Sequence, residues 1–323
     1  MFYIHQRKAW PHFTWGSDEL LIHLGAVRHS IGKLTGQMTS LGFVLQKEAE
    51  LETLTLDVVK TNEIEGAFLD PEQVRSSVAK RLGLNIPGMI PVDRHIDGVV
   101  EMMMDATQKF DVPLSMGRLF YWHAALFPTG RSGMHKIITG AWRDDSKGPM
   151  QVVSGSIGRE LVHFQAPDAA VLDQEMEVFL SWFNENQGLD PVLKAAIAHL
   201  WFVTIHPFED GNGRIARAVA DMQLARADDS SQRFYSMSAQ IGLERNSYYN
   251  ILERTQKGDL DITEWLVWFL DCLKRALLAT ETTLQKVLKK ASFWDEHRKT
   301  IMNERQRLMV NKLLDGFEGN LIT

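Results

Sequence analysis

The stretch that decides the fold runs from Asp190 to Ala227: DPVLKAAIAHLWFVTI (190–205), HPFEDGNGR (206–214) and IARAVADMQLARA (215–227). The first segment is apolar over a dozen residues, with Asp190 placed as N-cap and Pro191 in the first turn, so it predicts a helix. The third is the next helix, which makes 206–214 a loop feeding a helix N-terminus. Such a terminus presents unpaired N–H groups and the positive end of the helix dipole. Gly211 and Gly213 let the backbone curl into a concave nest of donors, an anion site. Arg214 and Arg217 lie about one turn apart and reach the same anion. Asn212 adds amide donors, completing a phosphate cradle.

Two residues of the loop ask for more than anion binding. Asp210 repels phosphate unless a divalent cation lies between them, and Mg²⁺ held by one carboxylate and phosphate oxygens is the usual arrangement. His206 is the side chain that titrates near neutrality, a general base. A base, a metal-binding carboxylate, a donor nest and two arginines together describe nucleotide transfer: a hydroxyl loses its proton to His206 and attacks a phosphorus whose developing charge meets preplaced donors. Other phosphate and metal motifs fail. GAVRHSIGK (25–33) has neither the spacing nor the Ser/Thr of a P-loop, and no HExxH is present.

Around this motif the chain reads as mainly α-helical. Helices are expected from Ser17, through FVLQKEAELETLTLDVVKTNEIE (43–65) with Gly66 as its stop, and at about 93–110, 114–127 and 168–186. The proline- and glycine-bearing LGLNIPGMIPVDRH (82–95) separates an N-terminal helical region, residues 1–90, from a core at 91–290. One segment departs from helical periodicity. In GPMQVVSGSIGRELVHFQAP (148–167), two β-prone runs flank a glycine-rich turn, a hairpin carrying Val152, Val153 and Ser154. A lone hairpin is marginal in water, so it must be held against the helices with an edge free.

The chain has 323 residues, 45% hydrophobic and 24% charged, with a net charge of −6. That balance fits an ordinary folded protein and gives no large basic surface for nucleic acid. Cys272 is the single cysteine, so no intramolecular disulfide forms, and its apolar helical setting predicts a buried, inert thiol. The start lacks the layout of a signal peptide and no apolar run spans a bilayer; a cytoplasmic protein with no membrane partner is expected.

HPFEDGNGRIAR matches every position of the signature HxFx(D/E)GNGRxxR and so resembles the Fic family. The resemblance implies a helical core with a β-hairpin flap, and protein adenylyltransfer: AMP moves from ATP to a Ser, Thr or Tyr hydroxyl of a target protein, releasing pyrophosphate. It implies His206 as base, Asp210 as Mg²⁺ ligand, Gly211, Asn212, Gly213 and Arg214 on the α- and β-phosphates, and Arg217 on the γ-phosphate. The 150–167 hairpin looks like the family's flap, which aligns a target peptide by strand addition. NSYYNILERTQ (246–256) resembles the segment that covers adenine, with Tyr248, Tyr249 and Gln256 as contacts; a tyrosine pair on a helix equally suits core packing.

Glu65 stands where the macrodipole disfavours a carboxylate by roughly 0.3–1 kcal/mol. Thr61-x-x-x-Glu65-Gly66 resembles the (S/T)xxxE(G/N) motif of self-inhibited members, in which the glutamate pairs with the second signature arginine, here Arg217. That implies an adenylyltransferase restrained from within its own chain, with Thr61 one turn before Glu65 to orient it. Two rival readings stay open: a hydrolase removing AMP, with Glu65 positioning water, and a non-catalytic nucleotide-binding regulator. Transfer of UMP or another nucleotide moiety is the weaker variant.

Residues 291–323 are expected to form a C-terminal helix from about Asn303. In related multi-domain proteins a winged-helix module follows, so the resemblance offers the start of a truncated winged-helix module as the alternative, and DNA binding through it is not expected. Helical relatives pair through exposed faces, which makes a homodimer an expectation. The target protein and its hydroxyl type stay unnamed.

Overall fold

A computed structural model describes residues 2–314 apart from 40–41, 156–158, 186–187, 298–299 and 301. The turn of the 148–167 hairpin and the tail from 315 lie outside the described residues. The N-terminal helices are α1 (Ser17–Thr39), α2 (Phe43–Ile64) and α3 (Pro71–Arg81). Then come α4 (Arg94–Gln108) and α5 (Met116–Leu126), and two hairpins, β1 (Arg131–Ser132) with β2 (His135–Lys136) and β3 (Gln151–Ser154) with β4 (Leu161–Gln165). Helices α6 (Leu172–Asn184), α7 (Pro191–Ile205), α8 (Asn212–Asp228), α9 (Met237–Leu243), α10 (Arg245–Gln256), α11 (Thr263–Glu296) and α12 (Glu304–Leu314) complete the chain. The fold is mainly α, as expected.

Helix α7 is the axis. Asp190 accepts from the Val192 amide at 2.8 Å, and Pro191 occupies the first turn. Every residue from Val192 to Ile205 is buried, so α7 shows no polar face and must be surrounded. Helix α8 packs along it, and α6 and α11 cover further sides. Ala195, Ala196 and Ala198 on α7 and Ala216, Ala218 and Ala220 on α8 are buried, and small side chains keep the pair close. The N-terminal helices share this core: α1 lies on α11, and α2 contacts α8, α9 and α11.

Three features differ from the sequence expectations. Helix α3 is absent from them, although Asp70 caps the Glu72 amide at 3.0 Å and Pro71 stands in its first turn; its buried apolar side chains are Val74, Val78 and the small Ala79, too few for a clear period. Hairpin β1–β2 is too short to show alternation. In β3–β4 the register shifts between Val152 and Val153, a bulge that no residue pattern announces. Cys272 is fully buried and burial pushes its thiol pKa up, in line with an inert side chain.

Candidate active site

Helix α7 ends as the chain turns through His206, whose backbone is left-handed (φ 53, ψ 58). A non-glycine residue there costs on the order of 1–3 kcal/mol, so the surroundings must hold it. The His206 amide donates to Phe202 O at 3.0 Å, and its carbonyl accepts from Arg143 Nε at 2.8 Å. Its Nδ1 lies 3.1 Å from the Val203 carbonyl. A carbonyl only accepts, so Nδ1 carries the proton and Nε2 keeps a lone pair. Burial is the main cause that lowers the His206 pKa to about 4, opposed by the Val203 contact and assisted by the Arg143 cation. The imidazole is therefore neutral at pH 7, in the tautomer a base needs at Nε2.

The rest of the loop is stitched from both sides. Asn212 accepts from the Phe208 amide at 2.9 Å and donates to the Phe208 carbonyl at 2.7 Å. Its side-chain oxygen and one of its two side-chain N–H groups are therefore spent on the loop. Phe208 is buried and stacks on His123, centroids 4.1 Å apart. His123 Nδ1 accepts from the Gly140 amide, so its Nε2–H donates to the Asp210 carbonyl at 3.2 Å. Burial pushes the His123 pKa down to about 4 and keeps the ring neutral. Of the two carboxylates, Glu209 is structural, taking the Ile138 amide at 2.6 Å and Lys147 Nζ at 2.8 Å. Asp210 is 43% exposed at its side chain, and is aimed by the Ser132 hydroxyl and the Gly211 amide.

Gly211 opens α8 with φ 81, and a β-carbon there would lie 2.9 Å from the Phe127 ring. At Gly213 an added β-carbon would fall 2.3 Å from Glu65 Oε1. The Glu65 carboxylate thus rests on the first turn of α8, over the donor nest. Arg217 is 2% exposed and binds three oxygens at the C-terminal end of α2 and its cap: Nε to Thr61 Oγ1 at 2.7 Å, and Nη2 to Thr61 O at 2.8 Å and Glu65 Oε1 at 2.7 Å. Thr61 therefore grips the arginine directly instead of orienting Glu65. Two buried donors lack an acceptor among the described residues, Arg217 Nη1 and Arg214 Nε, the complement a bound phosphate would satisfy.

Helix α2 stops at Ile64, one residue short of the expected end, and Glu65 is its C-cap. Gly66, with φ 80, follows as the predicted stop. The Ile64 carbonyl accepts from Arg245 Nε at 2.8 Å and from the Tyr249 hydroxyl at 3.3 Å, so α10 anchors the end that carries Glu65. Tyr248 is buried and its hydroxyl bonds His199 at 2.9 Å, beneath Arg217. Gln256 is also buried, 3.3 Å from Thr204 Oγ1, while Tyr249 is 37% exposed.

The hairpin is braced from behind. His5 bonds the Gln165 carbonyl at 2.9 Å, Tyr3 packs edge-on against Phe164, and His163 bridges Ser154 at 2.6 Å and Glu253 at 2.7 Å. Val153 is 47% exposed, and among the described residues each strand has one edge without a neighbouring strand. Among the described residues no three His, Cys, Asp or Glu side chains cluster as a metal site, and no helix is long and apolar enough to cross a membrane. Sequence reasoning missed Arg143, His123, Ser132 and Arg245, which act from separate segments and carry no spacing signal relative to the motif.

Residues 113–224 match the model of the Fic/DOC family, and residues 3–84 match a domain of unknown function, DUF4172. The chain is 36% identical over 112 residues to "Protein adenylyltransferase Fic" of Drosophila mojavensis, which covers 34% of this chain and 20% of that one. It is 29% identical over 178 residues to "Protein adenylyltransferase fic-1" of Caenorhabditis elegans, 54% of this chain and 32% of that one. The chain thus spans between a fifth and a third of the length of these curated relatives. Among solved structures, a Fic family protein from Desulfovibrio desulfuricans G20 superposes with a TM-score of 0.60 at 23% identity, covering 83% of this chain and 75% of that one. Caenorhabditis elegans Fic-1 does so with a TM-score of 0.53 at 22% identity, covering 84% and 73%. With α7, the loop 206–214 and α8 as far as Leu224 lying within the matched span, residues 113–224 are a Fic/DOC-family domain.

Proposed function

We propose that this chain is a self-inhibited protein adenylyltransferase, moving AMP from ATP to a protein hydroxyl. The observation that carries the reading is the Glu65 carboxylate, which lies on the Gly213 nest and on Arg217 at 2.7 Å, at the place the cradle offers an anion. The curated relatives named as adenylyltransferases support the reaction class.

In this reading the first turn of α8, with Gly211, Gly213 and Arg214, holds the α- and β-phosphates. Arg217 holds the γ-phosphate once Glu65 withdraws. The free edge of β3 at Val152, Val153 and Ser154 receives the target backbone and brings its hydroxyl to His206. Nε2 takes the hydroxyl proton as oxygen bonds the α-phosphorus. The bond from that phosphorus to the bridging oxygen breaks, and pyrophosphate leaves with its charge on the α8 amides and Arg214. Asp210 would hold Mg²⁺, which when bound would supply positive charge to neutralise phosphate; one exposed carboxylate beside an anion nest suits that role.

The test follows label from ATP marked at the α-phosphate into protein. Relieving a restraint of typical coupling strength is expected to raise transfer about 5- to 150-fold in Glu65→Gly. His206→Ala is expected to lose it. Label unchanged in Glu65→Gly would remove the inhibitory role. Release of AMP from a modified protein by the wild type, with no transfer by either form, would replace transfer by hydrolysis.

A further inference from the structure

We infer that Arg143 is the positioning residue that fixes the reach between the β3–β4 flap and His206, so that a hydroxyl presented on the flap edge meets Nε2. The inference rests on the adenylyltransfer reading and assigns a residue outside the signature motif to it.

Arg143 is 3% exposed, and each of its nitrogens donates to a group of the site. Its backbone amide donates to Pro207 O at 2.9 Å and Nε to His206 O at 2.8 Å, so the catalytic turn is held twice. Nη1 reaches Asp145 Oδ1 at 2.9 Å, on the loop leading into the flap. Nη2 reaches the Pro167 carbonyl, on the segment leaving it. The second Asp145 oxygen accepts from the Ala169 amide at 2.6 Å and closes the two stems on each other. One planar fork therefore touches the entry of the flap, its exit and the carbonyl of the base.

The arrangement uses what only guanidinium supplies. Its donors point in fixed in-plane directions, and lysine, with one ammonium, cannot hold three acceptors set apart in this way. His206 needs such a hold because its left-handed backbone is otherwise unfavourable. A flap merely packed on the helices would be free to slide relative to Nε2, and a shift of about 1 Å between reacting groups costs about 100-fold in rate. The charged groups that face the imidazole are Arg143, Glu65 and Asp210, and of these Arg143 opposes its protonation.

The test places Arg143→Lys and Arg143→Gln in the Glu65→Gly protein. Both are expected to lower kcat for protein labelling by about 10- to 100-fold per folded molecule, with KM for ATP within about twofold, because the phosphate cradle is untouched. The acid limb of the pH–rate profile should stay in place in Arg143→Lys, which keeps the cation, and move to higher pH in Arg143→Gln. Amide hydrogen exchange supplies a readout that needs no turnover: in Arg143→Lys, exchange should rise together at 151–154, 161–165 and 206–211 and stay unchanged in α11. A kcat per folded molecule equal to that of the parent, a parallel change in KM for ATP, or loosening of the flap without the 206–211 loop would each overturn the assignment. If Glu65→Gly itself transfers no label, the functional reading fails, and the exchange pattern still decides the coupling.

Discussion

Thr61 is fully buried, and both of its oxygens accept from Arg217. The arginine is thus held by a side-chain hydroxyl and a main-chain carbonyl of α2 as well as by Glu65, and only the hydroxyl can be removed without touching the carboxylate. Thr61→Val keeps the shape and deletes the acceptor. Leaving Arg217 Nε buried and unpaired costs on the order of 1–3 kcal/mol of folding stability. The same loss frees the guanidinium to turn toward nucleotide. Label transfer is expected to rise above wild type yet stay below Glu65→Gly, together with a lower urea midpoint. Transfer equal to wild type would show that Glu65 alone restrains Arg217.

At the scale of elements, α4 and α5 cross where Gly98 meets the main chain of Ala125. A β-carbon at Gly98 would lie 1.9 Å from the Ala125 carbonyl oxygen, so the helices can approach only because that residue is glycine. The contact matters to the site because α5 carries His123, which aims the Asp210 carbonyl, and α4 packs on α8. Gly98→Ala must push two backbones apart instead of displacing a flexible side chain. The expected cost is about 1–3 kcal/mol, typical of overpacking. A chemical denaturation midpoint no lower than wild type would contradict the crossing. By contrast Gly25, Gly32 and Gly36 on α1 have no atom within 4 Å of an added β-carbon, and alanine there should be tolerated.

Across the whole molecule, the N-terminal region and the Fic/DOC domain are joined by buried charge as well as by apolar packing. Asp57 of α2, Asp221 of α8 and Arg233 after α8 are all under 5% exposed. Arg233 donates to Asp221 Oδ1 at 2.7 Å, and Asp57 accepts from Ser236 and the Ser238 amide. Among the described residues Asp221 Oδ2 has no donor, and the Asp57 carboxylate lies beside it. Burial, with the Asp57 charge adding to it against Arg233, raises the Asp221 pKa to about 7. The folded state therefore binds a proton that the unfolded chain releases near 3.8. Its stabilisation is complete below that value and is lost as pH rises through about 7. Thermal stability is expected to fall as pH rises from about 4 to about 7, and Asp221→Asn, which keeps an acceptor for Arg233 and gains a donor for Asp57, should flatten the fall. Equal slopes in both proteins would assign the pH dependence to other groups.

Local order carried much of the reading. Asp190-Pro191 starts α7, the glycines at 211 and 213 open α8, Gly66 stops α2, and the mainly helical class with one flap hairpin follows from periodicity and its single interruption. These were legible because each depends on neighbours within a turn or two. Glu65 was conspicuous as a carboxylate at a helix end, but nothing local says what it faces, and only the packing of α2 on α8 sets it over Gly213. Asn212 shows the complementary case: its amide suits a phosphate, and only the fold shows its oxygen and one N–H tied to Phe208. Arg143, His123 and Ser132 gave no sign at all, since each meets the 206–214 loop from more than 60 residues away in sequence. The sequence by itself determined the chemistry available, namely a base, a carboxylate and a donor nest at one helix N-terminus, because those residues are adjacent in the chain. Only the tertiary structure decided which donors remain free, how the base is turned and what fills the cradle, because those outcomes depend on contacts between segments that no local pattern encodes.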